Sequence, residues 1–179
     1  MIVDGANGTA GEIGHMTIDP NGYLCNCGRK GCLETIASAT GITRQAMAYK
    51  TQQPTSALNH LFEEKGSLEA KDVFELAAQG DEPSQHILDY TMNTLGFALA
   101  NAAILINPEK ILIGGGVSKA GQVLIDGINQ SFASYALPHV HDACQIKLAQ
   151  LGNDAGIIGA AFLVRQKRYH VTFNKSENV

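Results

Sequence analysis

Three cysteines close together in the chain are the residues best suited to chemistry. Cys25, Cys27 and Cys32 follow the pattern CxCGxxGC, in which Gly28 and Gly31 stand where the backbone must turn back. A disulfide between Cys25 and Cys27 would be strained, whereas three thiolates can face one cation without strain. Zinc is the metal that such soft ligands suit best, and three ordinary free thiols are the alternative.

His15 is the expected fourth ligand, because it precedes Cys25 by ten residues on a segment expected to be strand-like. Three cysteines and one histidine complete a closed tetrahedral site, which is typical of structural zinc. Structural zinc contributes about 10–16 kcal/mol in small peptides, so its loss should unfold the loop. Without the cysteines, an ordinary core histidine would be the default interpretation of His15.

Two carboxylates flank these ligands in the sequence. Glu12 lies three residues before His15, and Glu34 lies two residues after Cys32. Ionised acceptors suit a polyhydroxylated ligand, since a hydrogen bond to a charged group contributes about 1.5–3 kcal/mol and an epimer would leave one acceptor unpaired. His15 could bind zinc through one ring nitrogen and offer the other to a hydroxyl. The alternative is that Glu34 only starts a helix and Glu12 lies in a solvated turn.

The elements that must position these residues begin with an irregular, glycine-rich segment over residues 1–34. Met16 and Ile18 indicate a short strand, and the sequence Asp-Pro-Asn-Gly over residues 19–22 predicts a turn. Helical spacing then predicts helices over residues 34–49, with a break near 40–41, over 57–62 and over 71–78.

The strongest helical pattern follows Pro83 and ends at Asn107, before Pro108. Gly96 and several alanines leave little side chain on its other faces, so we expect a central helix that neighbours approach closely. Later elements are a strand over 110–113, a triple-glycine turn, a helix capped by Ser118 and running to Tyr135, a strand over 144–149, and a last helix capped by Asn153 or Asp154.

The composition is that of an ordinary globular protein, with 45% hydrophobic and 17% charged residues and a net charge of −4. We expect one domain, because no repeat, linker or charge block divides the chain. The negative charge argues against a nucleic-acid partner. No apolar run reaches the roughly 18 residues of a membrane span, and the Gly-rich start does not resemble a signal peptide. The sequence therefore predicts a cytoplasmic protein without a membrane partner.

Four blocks, taken in order, resemble the ROK family of bacterial sugar kinases and repressors, and within it the zinc-containing glucokinases. They are residues 5–15 (GANGTAGEIGH), 25–34 (CNCGRKGCLE), 113–118 (IGGGVS) and 151–156 (LGNDAG). The resemblance implies an α/β fold of the actin-like ATPase, ribonuclease-H-like class. It makes residues 1–168 the C-terminal large domain of a kinase, with a structural zinc loop, and leaves residues 169–179 as a disordered tail.

The resemblance also assigns roles to residues of these blocks. It implies that zinc is held by His15, Cys25, Cys27 and Cys32, that the sugar is contacted by Glu12, His15 and Glu34, and that the nucleotide is approached by Gly114, Gly115 and Gly116. A plain tight turn is the alternative for the three glycines. The implied co-substrate is ATP with magnesium. The implied partners are glucose or a related hexose and, in a homodimer, a second copy of the chain.

The chain departs from the family pattern at its start. Kinases of the family begin with an Asp-Gly-Gly-Thr phosphate loop and carry an Asn-Asp pair whose aspartate is the general base, and this sequence starts too late to contain either. Its own Asn153-Asp154 pair follows a predicted strand and opens the last helix, so we interpret that pair as a helix cap. We therefore expect no catalytic residue in the chain and interpret it as the C-terminal part of a glucokinase that phosphorylates the glucose 6-hydroxyl. On this interpretation some of the apolar residues of the last helix should be exposed, namely Ile157, Ile158, Ala161 and Phe162.

Three alternatives remain open from the sequence. A kinase for an N-acetylated hexosamine would carry much the same zinc loop. A sugar-sensing repressor of the same family would share the loop and the sugar pocket, although retention of the triple glycine favours the kinase. The third alternative is a zinc-stapled sugar-binding module without catalysis of its own.

Overall fold

The computed structural model describes residues 2–3, 5–53 and 55–174, and the side chains of all of these except 153 and 166–174. Its helices are α1 (Glu34–Ala37), α2 (Ala39–Gln52), α3 (Ala57–Lys65), α4 (Ala70–Ala78), α5 (Glu82–Ile106), α6 (Gln122–Tyr135), α7 (Pro138–Ala143) and α8 (Ala155–Asn174), and its strands are β1 (Lys110–Ile113) and β2 (Gln145–Leu148). The chain divides into two compact units, residues 1–148 and residues 149–179.

The central element of the first unit is the 25-residue helix α5. Its start is capped by Asp81, whose carboxylate accepts a hydrogen bond from the Ser84 backbone N–H at 3.0 Å. It ends at Asn107, which takes the left-handed conformation with φ 50°. A Cβ at Gly96 would lie 2.4 Å from the Ser131 Cβ. The expected close approach to α5 is therefore confirmed, and the neighbour is α6.

The two strands form a parallel sheet in which Lys110 pairs with Gln145 and Ile113 pairs with Leu148. One face of this sheet packs on a core cluster supplied by α5, α6 and α7, which includes Leu99, Leu124, Ile128 and Phe132. A second cluster, with Ile42, Leu58, Val73 and Ile87, joins helices α2, α3, α4 and α5. The first unit is therefore a layer of helices that supports a small parallel sheet.

Most predicted helices are present, but the structure corrects several details. The break in the first helix lies at Ser38 rather than at residues 40–41, because the Ser38 Oγ accepts the Gly41 N–H at 3.0 Å and caps α2. The segment expected to be a strand around Met16 forms only isolated bridges, Thr17 to Cys32 and Leu24 to Lys30. The six-residue helix α7 was not predicted.

The prediction that Ser118 caps a helix is wrong. Ser118 lies inside a 3-10 turn over Gly116–Ala120, where its hydroxyl donates to the Gly115 carbonyl oxygen at 2.7 Å. Helix α6 begins four residues later, at Gln122, after Gly121 with φ 70°. The Ser118 hydroxyl therefore forms its hydrogen bond within this turn and does not cap helix α6.

The second unit consists of a 3-10 turn over Gly152–Asp154 and helix α8. The helix continues to Asn174, beyond the expected end at Arg168, and residues 175–179 of the expected tail lie outside the described part of the chain. The apolar residues expected to be exposed, Ile157, Ile158, Ala161 and Phe162, are all exposed. Among the described residues, no helix combines the length and apolar character needed to span a membrane.

Candidate metal centre

The cysteine loop is folded back by the turn that precedes it. The Gly22 N–H donates to the Asp19 carbonyl oxygen at 2.8 Å, and the Asn21 N–H donates to the Asp19 carboxylate at 2.9 Å, as the sequence predicts for this turn. Gly31 has φ +67°, and a Cβ there would lie 1.5 Å from the Asp19 carbonyl oxygen. Only glycine can therefore occupy position 31, where the loop crosses the turn.

Backbone hydrogen bonds then bring the ligand residues together. The Cys25 N–H donates to the Arg29 carbonyl oxygen at 2.8 Å and closes the loop between Cys25 and Cys32. The Leu33 N–H donates to the Met16 carbonyl oxygen at 2.8 Å, which places Cys32 beside the segment that carries His15. His15 itself ends a 3-10 turn over Ile13–His15 rather than lying on a strand.

The ligand atoms of His15, Cys25, Cys27 and Cys32 all lie within 4.8 Å of one another. The Cys25 Sγ is 3.6 Å from the His15 Nδ1, and the Cys27 Sγ is 3.5 Å from the Cys32 Sγ. A tetrahedral zinc ion with Zn–S bonds of 2.3 Å separates its ligand atoms by about 3.8 Å. The four side chains therefore fit a single zinc ion in both identity and spacing.

The thiols of the buried Cys25 and the exposed Cys27 differ in acidity because their hydrogen-bond partners differ. The Cys25 thiol donates to the Glu34 carboxylate at 2.8 Å, which raises the pKa of Cys25 to about 12. The Arg29 backbone N–H lowers the pKa of Cys27 to about 6, because it donates to the sulfur and favours the thiolate. The lowered pKa favours the thiolate form of Cys27, which is the form that binds zinc.

Glu34 is the first residue of α1 and lies at the edge of the cysteine cluster. Its Oε1 is 3.8 Å from the His15 Nδ1, in addition to its contact with Cys25. The side chains of His15 and Glu34 are 32% and 38% exposed, so a solute can reach both. The structure therefore brings one of the two predicted carboxylates to the predicted metal ligands.

Glu12 is placed differently. It is exposed, and its backbone carbonyl accepts the His15 N–H at 3.0 Å. Within the described part of the chain its carboxylate forms no hydrogen bond or ion pair. The structure therefore places the Glu12 backbone, but not its carboxylate, against the segment that carries His15.

Helix α1 is tied to the rest of the fold by a residue that the sequence analysis did not single out. The Gln45 side chain is buried, and its Nε2 donates to the Ile36 carbonyl oxygen at 3.1 Å and to the Thr91 hydroxyl at 3.3 Å. This bridge joins α1, α2 and α5, and so fixes Glu34. The sequence pattern of an amphipathic helix does not distinguish a glutamine with a buried, hydrogen-bonded side chain from a glutamine exposed to solvent.

The triple glycine lies on another part of the first unit. Gly116 borders a cavity of about 850 Å³ that is enclosed by α4, α5, the turn over Gly116–Ala120 and the start of α6. The lining is largely apolar and includes Phe74, Leu88, Met92 and Val117. Of the three predicted glycines, only Gly116 lines it.

A protein-family sequence model described as "ROK family" matches residues 1–167. The chain belongs to the ROK family. This assignment confirms the predicted fold class, which is the α/β, actin-like ATPase fold of the ROK kinases. The chain also carries a His/Cys cluster that could bind zinc.

Two of the curated relatives that the chain matches are kinases. The glucokinase of Halalkalibacterium halodurans is 52% identical over 167 residues, which cover 93% of this ROK chain and 51% of that protein. The N-acetylmannosamine kinase of Haemophilus influenzae is 33% identical over 167 residues, which cover 92% of this chain and 49% of that protein. The chain therefore spans about half the length of the curated relatives that it matches.

A solved structure of a relative is matched over a similar share of its length. The ROK family glucokinase from Streptomyces griseus, in complex with glucose and AMPPNP, superposes with a TM-score of 0.75 and 35% identity. The match covers 89% of this ROK chain and 52% of that one.

Proposed function

We propose that this chain is the zinc-held, sugar-binding part of an ATP-dependent hexose kinase, with glucose as the preferred acceptor. The observation that carries the proposal is the placement of the Glu34 carboxylate beside His15 at the accessible edge of the ligand cluster. A carboxylate and an imidazole so placed can accept and donate hydrogen bonds to neighbouring hydroxyls. The similarity to glucokinases, one of them solved with glucose, supports a hexose as the ligand.

The proposed sugar site consists of Glu12, His15 and Glu34. The Nδ1 of His15 faces the cysteines, which leaves the Nε2 for a sugar hydroxyl. Bound zinc would fix the ring orientation of His15 and the course of the cysteine loop, and it would have no open position for chemistry. His15, Cys25, Cys27 and Cys32 would hold it.

The proposed nucleotide site lies at the triple-glycine turn, Gly114, Gly115 and Gly116. The cavity bordered by Gly116 has a volume of about 850 Å³ and a mostly apolar lining, as a purine base requires. The Streptomyces griseus relative was solved with AMPPNP, which supports ATP as the phosphoryl donor, with magnesium neutralising its phosphates.

We assign no catalytic base to this chain. Its residues bind and orient the sugar and the nucleotide. The Asp-Gly-Gly-Thr phosphate loop implied by the family resemblance does not occur in its sequence, and its one Asn-Asp pair, Asn153-Asp154, lies in the block that we match to the start of the last helix. A homodimer and a cytoplasmic location stay predictions.

A chimaera tests the proposed activity. Residues 1–167 replace the matching residues of the Halalkalibacterium halodurans glucokinase, whose other half supplies the remaining machinery. We expect ATP-dependent phosphorylation of glucose by the zinc-loaded chimaera. A folded, zinc-loaded chimaera that phosphorylates no hexose would contradict the proposal.

A kinase for N-acetylated hexosamines is the second candidate, favoured by the 33% identity to N-acetylmannosamine kinase. The same chimaera distinguishes the two from the ratio of kcat/KM for glucose and for N-acetylmannosamine. We expect glucose to be the better substrate.

A further inference from the structure

Arg29 makes more contacts with the proposed metal centre than any pattern in the sequence indicates. Its carbonyl oxygen accepts the Cys25 N–H at 2.8 Å, and its guanidinium Nη2 donates to the His15 carbonyl oxygen. The interaction of the guanidinium with the Cys27 side chain raises the pKa of Arg29. One side chain therefore reaches both segments that supply ligands, the loop and the turn that ends at His15.

The charge of the proposed centre calls for a cation at this place. Three thiolates and one neutral histidine around a divalent zinc ion leave one net negative charge, and the Glu34 carboxylate lies beside the cluster. A guanidinium next to the sulfurs offsets this charge and, as a planar fork, can bond a sulfur and a carbonyl oxygen at once. Lysine supplies the charge but not the fork.

We propose that Arg29 is a positioning residue of the metal centre, which holds the cysteine loop against His15 and offsets the negative charge of the thiolates. The inference rests on the proposed zinc site. Residues that orient metal ligands without binding the metal commonly change metal affinity when they are replaced.

Lys30 is the matched control for Arg29. It is the next residue in the same loop, it is exposed and positively charged, and within the described part of the chain its side chain forms no hydrogen bond or ion pair. Replacing either residue by glutamine removes one positive charge at nearly the same place. Only the Arg29 variant removes the contacts with His15 and Cys27.

The experiment measures zinc affinity of the full chain by competition with a chromophoric chelator. We expect Arg29→Gln to lower the affinity about 10-fold or more, and Lys30→Gln to change it less than about twofold. Arg29→Lys should fall between Arg29→Gln and the unchanged chain, because it keeps the charge. Equal affinities for Arg29→Gln and Lys30→Gln would overturn the proposal.

Cobalt substitution provides a readout that a purely structural role would not move. Loss of the guanidinium that interacts with Cys27 should shift the sulfur-to-cobalt charge-transfer band in Arg29→Gln, and the band should stay in place in Lys30→Gln. If Arg29→Gln does not fold, Arg29→Lys decides: affinity and band equal to those of the unchanged chain would overturn the proposal, and a change in both would support it. Failure of the unchanged chain to bind zinc would instead remove the metal centre itself.

Discussion

Glu34 connects the two sites that we place at the start of the chain. Its carboxylate lies 2.8 Å from the Cys25 sulfur and 3.8 Å from the His15 Nδ1. Zinc binds thiolates, so zinc binding removes the thiol proton that Cys25 shares with Glu34. The carboxylate then has its oxygens free for hydroxyl groups. Sugar binding should therefore depend on the metal.

Cys27→Ser tests this dependence. A serine hydroxyl is a poor zinc ligand, so we expect the variant to lose most of its zinc and, with it, its affinity for glucose. Zinc content by plasma emission spectrometry and glucose binding by calorimetry measure the two effects. Cys144→Ser, at a buried cysteine outside the cluster, is the control for loss of a thiol. Undiminished glucose affinity in a zinc-free variant would show that the two sites are independent.

Glu12→Gln should separate the two effects. The Glu12 carboxylate contacts no metal ligand in the described structure, so zinc content should stay unchanged. We expect glucose affinity to fall about 10-fold, as the loss of one hydrogen bond from a charged acceptor predicts. Calorimetry on the zinc-loaded variant measures this fall. Unchanged glucose affinity would remove Glu12 from the sugar site.

The cluster of His15, Cys25, Cys27 and Cys32 could be predicted from sequence because few side chains bind zinc and their spacing is restricted. Arg29 could not, because a single arginine in a loop has no spacing that distinguishes a metal-site contact from a solvated charge. His15 was predicted as a ligand, but the local backbone was not, since a 3-10 turn of three residues leaves no periodicity to detect.

Helix α4 shows how one buried charge can hold an element in place. Asp72 is 4% exposed and accepts a hydrogen bond from Lys65 at 2.5 Å and from the Glu69 N–H at 2.8 Å. Burial acts to raise the pKa of Asp72, but these two donors outweigh it and lower the pKa below its ordinary value of 3.8. This group therefore stabilises the fold above its unfolded-state pKa, and the stabilisation is lost as the pH falls through the folded-state pKa.

Asp72→Asn should lower the free energy of unfolding of the zinc-loaded chain by about 1–2 kcal/mol at neutral pH. The half-exposed Lys65 limits the effect. The difference from the unchanged chain should shrink as the pH falls below about 4, because the native carboxylate becomes protonated there too. Urea unfolding at several pH values measures both.

Glu75→Gln is the control. It breaks an exposed pair with Lys71 in the same helix and should lower the free energy of unfolding by less than about 0.5 kcal/mol. Equal losses for the two variants would contradict this account.

Prediction at the level of elements succeeded where terminal signals and periodicity agreed. Helix α5 has a capping aspartate, a proline in its first turn and Pro108 after its end, and its bounds follow from them. Ser118 shows the limit, because a serine hydroxyl can bond either to a following helix or to a preceding turn, and the sequence does not distinguish these. Helix α7, with six residues, is too short for a periodic pattern.

At the scale of the whole molecule, both units expose apolar side chains, and those of the first unit include one on its sheet. In the first unit, Leu112 is 62% exposed on the sheet face opposite the core. Parallel sheets are usually covered on both faces, so this two-stranded sheet is expected to be part of a larger one. Since the chain spans about half the length of its curated relatives, its size agrees with this expectation.

Calorimetric titration of the zinc-loaded chain with glucose tests the central claim most directly, because it asks whether the metal loop and Glu34 form a sugar site. We predict saturable binding of glucose that chelation of zinc abolishes, and weaker binding of N-acetylmannosamine under the same conditions. A zinc-loaded, folded chain that binds neither sugar would contradict the claim that this unit carries the hexose site. Tighter binding of N-acetylmannosamine would contradict the assignment to glucose.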